Sequence, residues 1–250
     1  MFPEIHFFNL IIPMYPLCVA TGFLIGTAVL YLFAYKCDFP EKLVFPLMCF
    51  IELAVILGGK ILFLLINIHN LTKIFEKFGF IAIFTKTGFV FYGGLFGGFI
   101  AVLVFSKIYK ISLNEILPLV ISVTPLIHAF GRIGCLFVGC CYGIEYDGFC
   151  SVRLHGVNRF PVQLLESTML LVLFVVLQVF LYKSRNRVPF AYFLGYGTLR
   201  FFCEFLRGDE SRGFIGQFSV SAWISLIIFV VTFIACFVTF FTQLSKNRVS

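Results

Sequence analysis

The chain has 250 residues, 60% of them hydrophobic, 19% aromatic and only 12% charged, with 36 Phe, one Trp and a formal net charge of +7. Together with a mean hydropathy of +1.03, this excludes a soluble globular domain and describes a polytopic helical membrane protein. The positive balance suits retention of anionic lipid at a membrane face, and no basic stripe of the kind that tracks nucleic acid is present.

A crossing takes about 20 apolar residues. Seven candidate spans follow in chain order, roughly 14–35, 44–68, 88–109, 116–138, 162–182, 190–206 and 218–241. The predicted fold class is all-α: about seven transmembrane helices around a polar intramembrane cavity, with residues 1–250 forming a single multipass domain. No repeat, low-complexity tract or heptad run interrupts it, and its connections are too short for a soluble domain. No basic n-region or small-residue cleavage site accompanies the first apolar segment, which is therefore read as a retained span. An odd number of spans puts the termini on opposite sides. With the N-terminus outside, the cytoplasmic segments hold Lys36, Lys42, Lys107, Lys110, Lys183, Arg185, Arg187, Lys246 and Arg248, and the outer ones Lys73, Lys77, Lys86, Arg153, Arg159, Arg207 and Arg212. The positive-inside rule then favours a cytoplasmic C-terminus by a small margin.

Few residues inside the spans are polar. In the second span Glu52 and Lys60 stand about two helical turns apart, a spacing that suits a structural pair or a snorkelling lysine. In the third, Gly93, Gly94, Gly97 and Gly98 follow Phe91-Tyr92 as two overlapping G-x-x-x-G pairs, the signal for close helix approach. The fourth span ends in the most informative stretch, His128 to Gly143. Arg132 stays ionised at any accessible pH and costs roughly 2.5–3.5 kcal/mol at membrane depth unless it meets a carboxylate, water or an anion. No acid lies between Glu115 and Glu145. Arg132 is therefore expected to be free for an anionic ligand, and the abundant anion of a bilayer is a lipid phosphate. Gly131, Gly134, Gly139 and Gly143 bracket it at spacings that allow a broken helix or loop lining a polar cavity. His128 precedes Arg132 by one turn, and a fixed positive charge biases an imidazole towards the neutral form that a general base needs. The other reading of His128 is a satisfied packing residue. In the sixth span Arg200 and Glu204 are spaced to meet on one helix face, either as a self-neutralising pair or as a fork with donors left over for a phosphate.

At this point the chain resembles a known family, the prolipoprotein diacylglyceryl transferases of bacterial membranes. The resemblance rests on ordered blocks: Gly131-Arg132-Ile133-Gly134 followed by Gly139 and Gly143, Tyr92-Gly93-Gly94 where the family has His-Gly-Gly, Pro161-Val162-Gln163-Leu164-Leu165-Glu166, and Tyr196-Gly197 with Arg200-Phe201, Glu204-Phe205 and Arg207. Gly58-Gly59-Lys60 is similar to its Gly-Gly-Arg. The resemblance implies seven spans with the N-terminus outside, residence in the bacterial cytoplasmic membrane, no metal and no organic cofactor. It also implies transfer of the diacylglyceryl group of phosphatidylglycerol, or a related anionic phospholipid, to the lipobox cysteine of a secreted prolipoprotein. By resemblance Arg132 and Arg200 hold the headgroup, with Gln163, Glu166 and Glu204 in support; Gly93, Gly94, Gly131, Gly134, Gly143 and Arg207 belong to the same motifs.

The chain departs from the family pattern at several places. Cys135 and Cys140 replace the family's asparagine and acid, Tyr92 replaces a histidine, and the first span offers only apolar residues or Gly22 where the family has tyrosine. The base is then His128 or Tyr92. Cys135, Cys140, Cys141 and Cys150 match neither a zinc ribbon nor a C-x-x-C pair, and they are expected to be free, buried thiols packed as small apolar residues, with a disulfide or metal site as the other readings. Two rival functions remain: a non-catalytic lipid-binding or lipid-moving protein of the same fold, and a redox or metal protein resting on the thiols.

Overall fold

Runs of Leu, Ile, Val and Phe with no polar face form helices that are apolar all round, as spans facing lipid require. The computed structural model describes residues 2–8, 10–70, 76, 88–209 and 213–249. Seven helices lie among them: α1 (Met14–Ala34), α2 (Val44–Ile66), α3 (Phe91–Tyr109), α4 (Leu113–Val138), α5 (Val162–Lys183), α6 (Val188–Glu204) and α7 (Val220–Val249). Six segments are long and apolar enough to cross a membrane: Met14–Ala34, Glu41–Ile66, Tyr92–Tyr109, Leu113–Val138, Val162–Lys183 and Val220–Thr239. The sixth expected span is present as α6, but its 17 residues extend only about 25 Å, and Arg200 and Glu204 make it more polar than the rest. Of the cations weighed for orientation, Lys73, Lys77, Lys86 and Arg212 lie outside the described residues.

The connections contain three short antiparallel hairpins, whose strands are too short to stand out as apolar runs. They are β1–β2 (Glu4–Phe7 with Leu10–Pro13), β3–β4 (Val152–Leu154 with Val157–Arg159) and β5–β6 (Phe214–Ile215 with Phe218–Ser219). In the second hairpin the turn residues His155 and Gly156 have φ of 54° and 84°. Two consecutive left-handed residues match the right-handed twist of the strands they join.

The chain forms two compact units, Met1–Leu30 with Pro118–Ser250, and Tyr31–Leu117. In the second unit α2 and α3 touch backbone to backbone. A Cβ added at Gly93 would stand 2.3 Å from the Gly58 carbonyl oxygen, and one at Gly97 2.1 Å from that of Ala54. The other two glycines of the overlapping pairs meet side chains instead, Gly94 facing Phe89 and Gly98 facing Val55. The predicted close approach is thus made by Gly93 and Gly97.

In the first unit α1 lies along α4, with Gly22 against Phe130, Gly26 against Ile127, and Gly134 against Tyr15 and Cys18. Side chains of α5 reach carbonyls of α4, Ser167 Oγ donating to Ala129 and Gln178 Nε2 to Ser122, both at 3.1 Å. Such bonds matter in lipid, where no apolar driving force separates one helix face from another. Ala129, Val162, Leu170, Leu199 and Cys203 form a buried cluster joining α4, α5 and α6. Gly197 brings α6 close to α7, its added Cβ falling 3.2 Å from the Ser225 carbonyl oxygen.

The contrast between Gly97 and Gly98 makes a test. Gly97→Ala is expected to destabilise by about 1–3 kcal/mol through overpacking against a carbonyl that cannot give way. Gly98→Ala meets only a Val55 methyl at 3.1 Å, and is expected to be neutral or stabilising by up to about 1 kcal/mol as the backbone loses freedom. Thermal unfolding in detergent checks both; equal effects would sink the backbone-contact reading.

Candidate active site

Arg132 lies on the penultimate turn of α4 and is only 6% exposed. Its missing acid comes from the next helix. Glu166 on α5, 2% exposed, forms an ion pair with Arg132 Nε through one carboxylate oxygen and accepts from Arg200 Nη1 at 2.7 Å through the other. Arg200 extends the chain to Glu204 Oε2 at 3.0 Å, the i,i+4 pairing expected on α6, and to Ser221 Oγ on α7 at 3.3 Å. The expectation that Arg132 stands without a carboxylate is corrected here. A search along its own segment cannot see an acid that folding brings from another helix.

The cluster holds two guanidiniums and two carboxylates, so its formal charge balances while the outer donors of Arg132 remain. Arg132 Nη1 stands 4.0 Å from Cys135 Sγ. Arg132 Nη2 is buried and has no hydrogen-bond partner among the described residues. A buried charged donor left unsatisfied costs roughly 1–3 kcal/mol or more, so the fold supports the guanidinium without saturating it. Gln163, fully buried at the start of α5, donates from Nε2 to the Cys140 carbonyl at 2.9 Å, and its Oε1 also lacks a partner among the described residues.

The remaining sequence-chosen residues separate by role. An atom added as Cβ at Gly131 would meet Val19 at 3.9 Å, an ordinary contact, so no close approach requires this glycine. Gly134 is required by α1, and Gly143 by the Phe160 carbonyl oxygen, 2.2 Å from its added Cβ. Gly143 and Arg207 pair as an isolated antiparallel bridge. Arg207 holds Asp209 with two hydrogen bonds, Nε to Oδ1 at 2.9 Å and Nη2 to Oδ2 at 2.5 Å. Burial works against that charge, yet the two-pronged bond to Asp209 outweighs it and raises the Arg207 pKa. His128 is half-buried with its ring 5.6 Å from that of Tyr196. Tyr92, Gly93 and Gly94 belong to the second unit; Tyr92 is 42% exposed at the start of α3, and Gly93 serves the contact with α2.

Sequence reasoning missed three participants. Tyr15 in the first turn of α1 packs on Gly134, within the turn that carries Arg132. Its signal was an aromatic phenol at the edge of an apolar span, the usual place for an interfacial anchor. His155 bonds the Gly139 carbonyl at 2.9 Å, and Arg159 lies 4.3 Å over the Tyr142 ring while donating to the Gly143 carbonyl at 3.2 Å. Residues 139–143 are thus held from the β3–β4 hairpin.

The thiols also depart from expectation. Cys135 is buried, but Cys140 and Cys150 are exposed and Cys141 is half-buried, because residues 139–150 follow the end of α4 and lie outside the spans. Cys135, Cys140 and Cys141 converge, their sulfurs all within 4.8 Å of one another. The Cys141 thiol, bonded by Cys135 and Cys140 and facing the charges of Arg132 and Arg207, is held below the ordinary thiol range. Beside them opens a cavity of about 410 Å³ lined by Val138, Gly139, Cys140, Cys141, Tyr142, His155 and Asp209.

The family model described as Prolipoprotein diacylglyceryl transferase matches residues 4–238. The chain belongs to this family. It is 31% identical to Phosphatidylglycerol--prolipoprotein diacylglyceryl transferase 2 of Clostridium perfringens over 89% of each chain. It is 30% identical to Phosphatidylglycerol--prolipoprotein diacylglyceryl transferase of Clostridium tetani, covering 90% of this chain and 92% of the relative. A Campylobacter jejuni relative of the same name is 26% identical over 91% of this chain and 86% of its own length. Family membership makes this a transferase, and its apolar helices make it a multipass protein of the bacterial inner membrane. Three family motifs, on α4, at the start of α5 and along α6, meet at one ionic cluster, whereas Tyr92-Gly93-Gly94 lies in the other compact unit.

Glu166 is the shared partner, so its loss should be felt most. Glu166→Gln is expected to destabilise by about 3–5 kcal/mol, since it strands the buried Arg132 guanidinium and takes from Arg200 one of its two carboxylates. Glu204→Gln should cost less, because Arg200 keeps Glu166 and Ser221. Thermal unfolding and folded yield in detergent read the difference, and a larger loss from Glu204→Gln would overturn the ranking.

Proposed function

We propose that this chain transfers the diacylglyceryl group of phosphatidylglycerol to the thiol of a prolipoprotein lipobox cysteine, forming a thioether and releasing glycerol phosphate. The observation that carries the reading is the outer edge of Arg132: a buried guanidinium, oriented by Glu166, whose Nη2 has no protein partner among the described residues. A phosphate oxygen is the natural acceptor for such a donor. The names of the Clostridium relatives point to the same two substrates.

In the reaction the acceptor sulfur forms a bond to the glycerol carbon as that carbon's bond to the phosphate oxygen breaks. Negative charge grows on the leaving phosphate, so contacts from Arg132 strengthen towards the transition state and lower the barrier. Arg200 holds Glu166 from its other side and keeps the Arg132 fork fixed. Gln163 offers Oε1 to a substrate hydroxyl and steadies the loop at Cys140. An acceptor thiol with an ordinary pKa near 8.5 needs a base. His128 stands one turn before Arg132 and makes no hydrogen bond to the described residues, so its ring nitrogens are open to the thiol proton. The N-terminus is taken as outside and the C-terminus as cytoplasmic, the arrangement that the charge balance favours.

The test is complementation of a bacterium depleted of its own diacylglyceryl transferase, read by lipid labelling of a lipobox substrate. Arg132→Lys is expected to insert normally but to lower labelling roughly 10²- to 10³-fold, as for loss of a preorganised charge-stabilising donor. Near-normal labelling would remove the clamp. His128→Gln should slow transfer by roughly 10²- to 10⁴-fold and Tyr92→Phe by less. An active His128→Gln beside a dead Tyr92→Phe would hand the base to the tyrosine.

A further inference from the structure

The end of α4 is a helix terminus built to gather three sulfurs. Gly139 takes φ of 77°, its N–H bonds the Leu136 carbonyl at 3.1 Å, and the Cys140 N–H bonds the Cys135 carbonyl at 3.1 Å. This is the paired hydrogen bonding of a Schellman cap, which sets the third residue from the helix end against the second residue beyond it. Those residues are ordinarily apolar; here they are Cys135 and Cys140. Cys141 then adopts φ of 55°, a left-handed conformation that costs a non-glycine residue about 1 kcal/mol or more, and this turn brings its sulfur back to the other two.

Packing does not account for the arrangement, since Cys140 is exposed and Cys141 half-buried. From this geometry we infer a metal site in which Cys135, Cys140 and Cys141 hold one thiophilic divalent cation of the zinc class. Three sulfurs about 2.3 Å from a common ion stand about 3.8–4.0 Å apart, and the three here already lie within 4.8 Å of one another, so closure takes only a small approach of the sulfurs. Charge balance supports a divalent ion. Three thiols bind it with release of three protons, giving a complex of net charge −1 beside the Arg132 guanidinium, whose Nη1 is 4.0 Å from Cys135 Sγ. Gln163 bonded to the Cys140 carbonyl and His155 bonded to the Gly139 carbonyl fix the loop backbone. The cavity that Cys140 and Cys141 line gives the ion a way in and a water for its fourth position. Soft thiolates exclude magnesium and calcium.

The full-length protein, reduced and purified in detergent, is titrated with cadmium chloride alone, and sulfur-to-metal charge-transfer absorption is followed in the ultraviolet. One equivalent per chain should saturate the band, and zinc in large excess should compete with the cadmium for the site. Cys140→Ser and Cys141→Ser, each verified as folded by thermal unfolding, should weaken binding more than the roughly 10- to 100-fold typical of a lost outer-shell partner; Cys150→Ser should leave it unchanged. The inference falls if wild type gives no band at one equivalent, or if the band survives both serine variants. It also falls if thiol titration shows that two of the three cysteines pair as a disulfide in the air-exposed protein and resist metal until reduced. A serine variant that fails to fold is replaced by the corresponding alanine, for which the same loss is expected.

Discussion

Glu166 is the contact on which the site depends. A single carboxylate, buried on α5, binds one arginine from α4 and another from α6, and through the second it connects to Glu204 and Ser221. A buried ion pair is a weak source of net stability, because removing each charge from water costs several kcal/mol. Its consequence is geometric. Helix faces rich in Leu and Val pack in many registers, whereas a two-sided carboxylate accepts few arrangements of its partners.

That constraint explains why the cluster leaves something over. Two carboxylates neutralise two guanidiniums, yet a guanidinium has five donors and the described residues do not use all of them on Arg132. Orientation comes from the inner donors, while Nη2 is left without a partner among the described residues. The helix end two turns further on continues the same logic. Gln163 is one turn from Glu166 on α5 and holds the Cys140 carbonyl, so the carboxylate that orients Arg132 and the amide that steadies the cysteine loop sit on one rigid segment.

The glycines divide in a comparable way. Gly93 and Gly97 exist for the contact of α2 with α3, and Gly134 and Gly143 for close backbone approach, whereas a Cβ at Gly131 would make only an ordinary contact, with Val19 at 3.9 Å. A motif in which every residue looks functional in one dimension thus contains both packing glycines and charged groups. In the second unit, which has Tyr92 at the head of α3, the contact of α2 with α3 is made by glycine packing.

Much of the fold was legible because lipid imposes a simple rule: a run of apolar residues long enough to cross must satisfy its backbone internally, and so is a helix. The helix positions, the meeting of Arg200 with Glu204, the close approach at Gly93 and Gly97 and the placing of a cation, Arg132, on the fourth helix all follow from residue type and periodicity, which are local properties. The hairpins were missed because their signals are two-residue turns and not long runs. The partner of Arg132 was missed because Glu166 lies on a different helix, and the reading of the thiols as buried packing failed because a Schellman turn, which reverses the chain after Gly139, sets burial one residue at a time. Sequence determined which groups this protein carries and on which helix faces they lie. Only the tertiary structure decided which of them meet, since a buried charge finds its counter-charge through space and the chain between Arg132 and Glu166 carries no trace of that meeting.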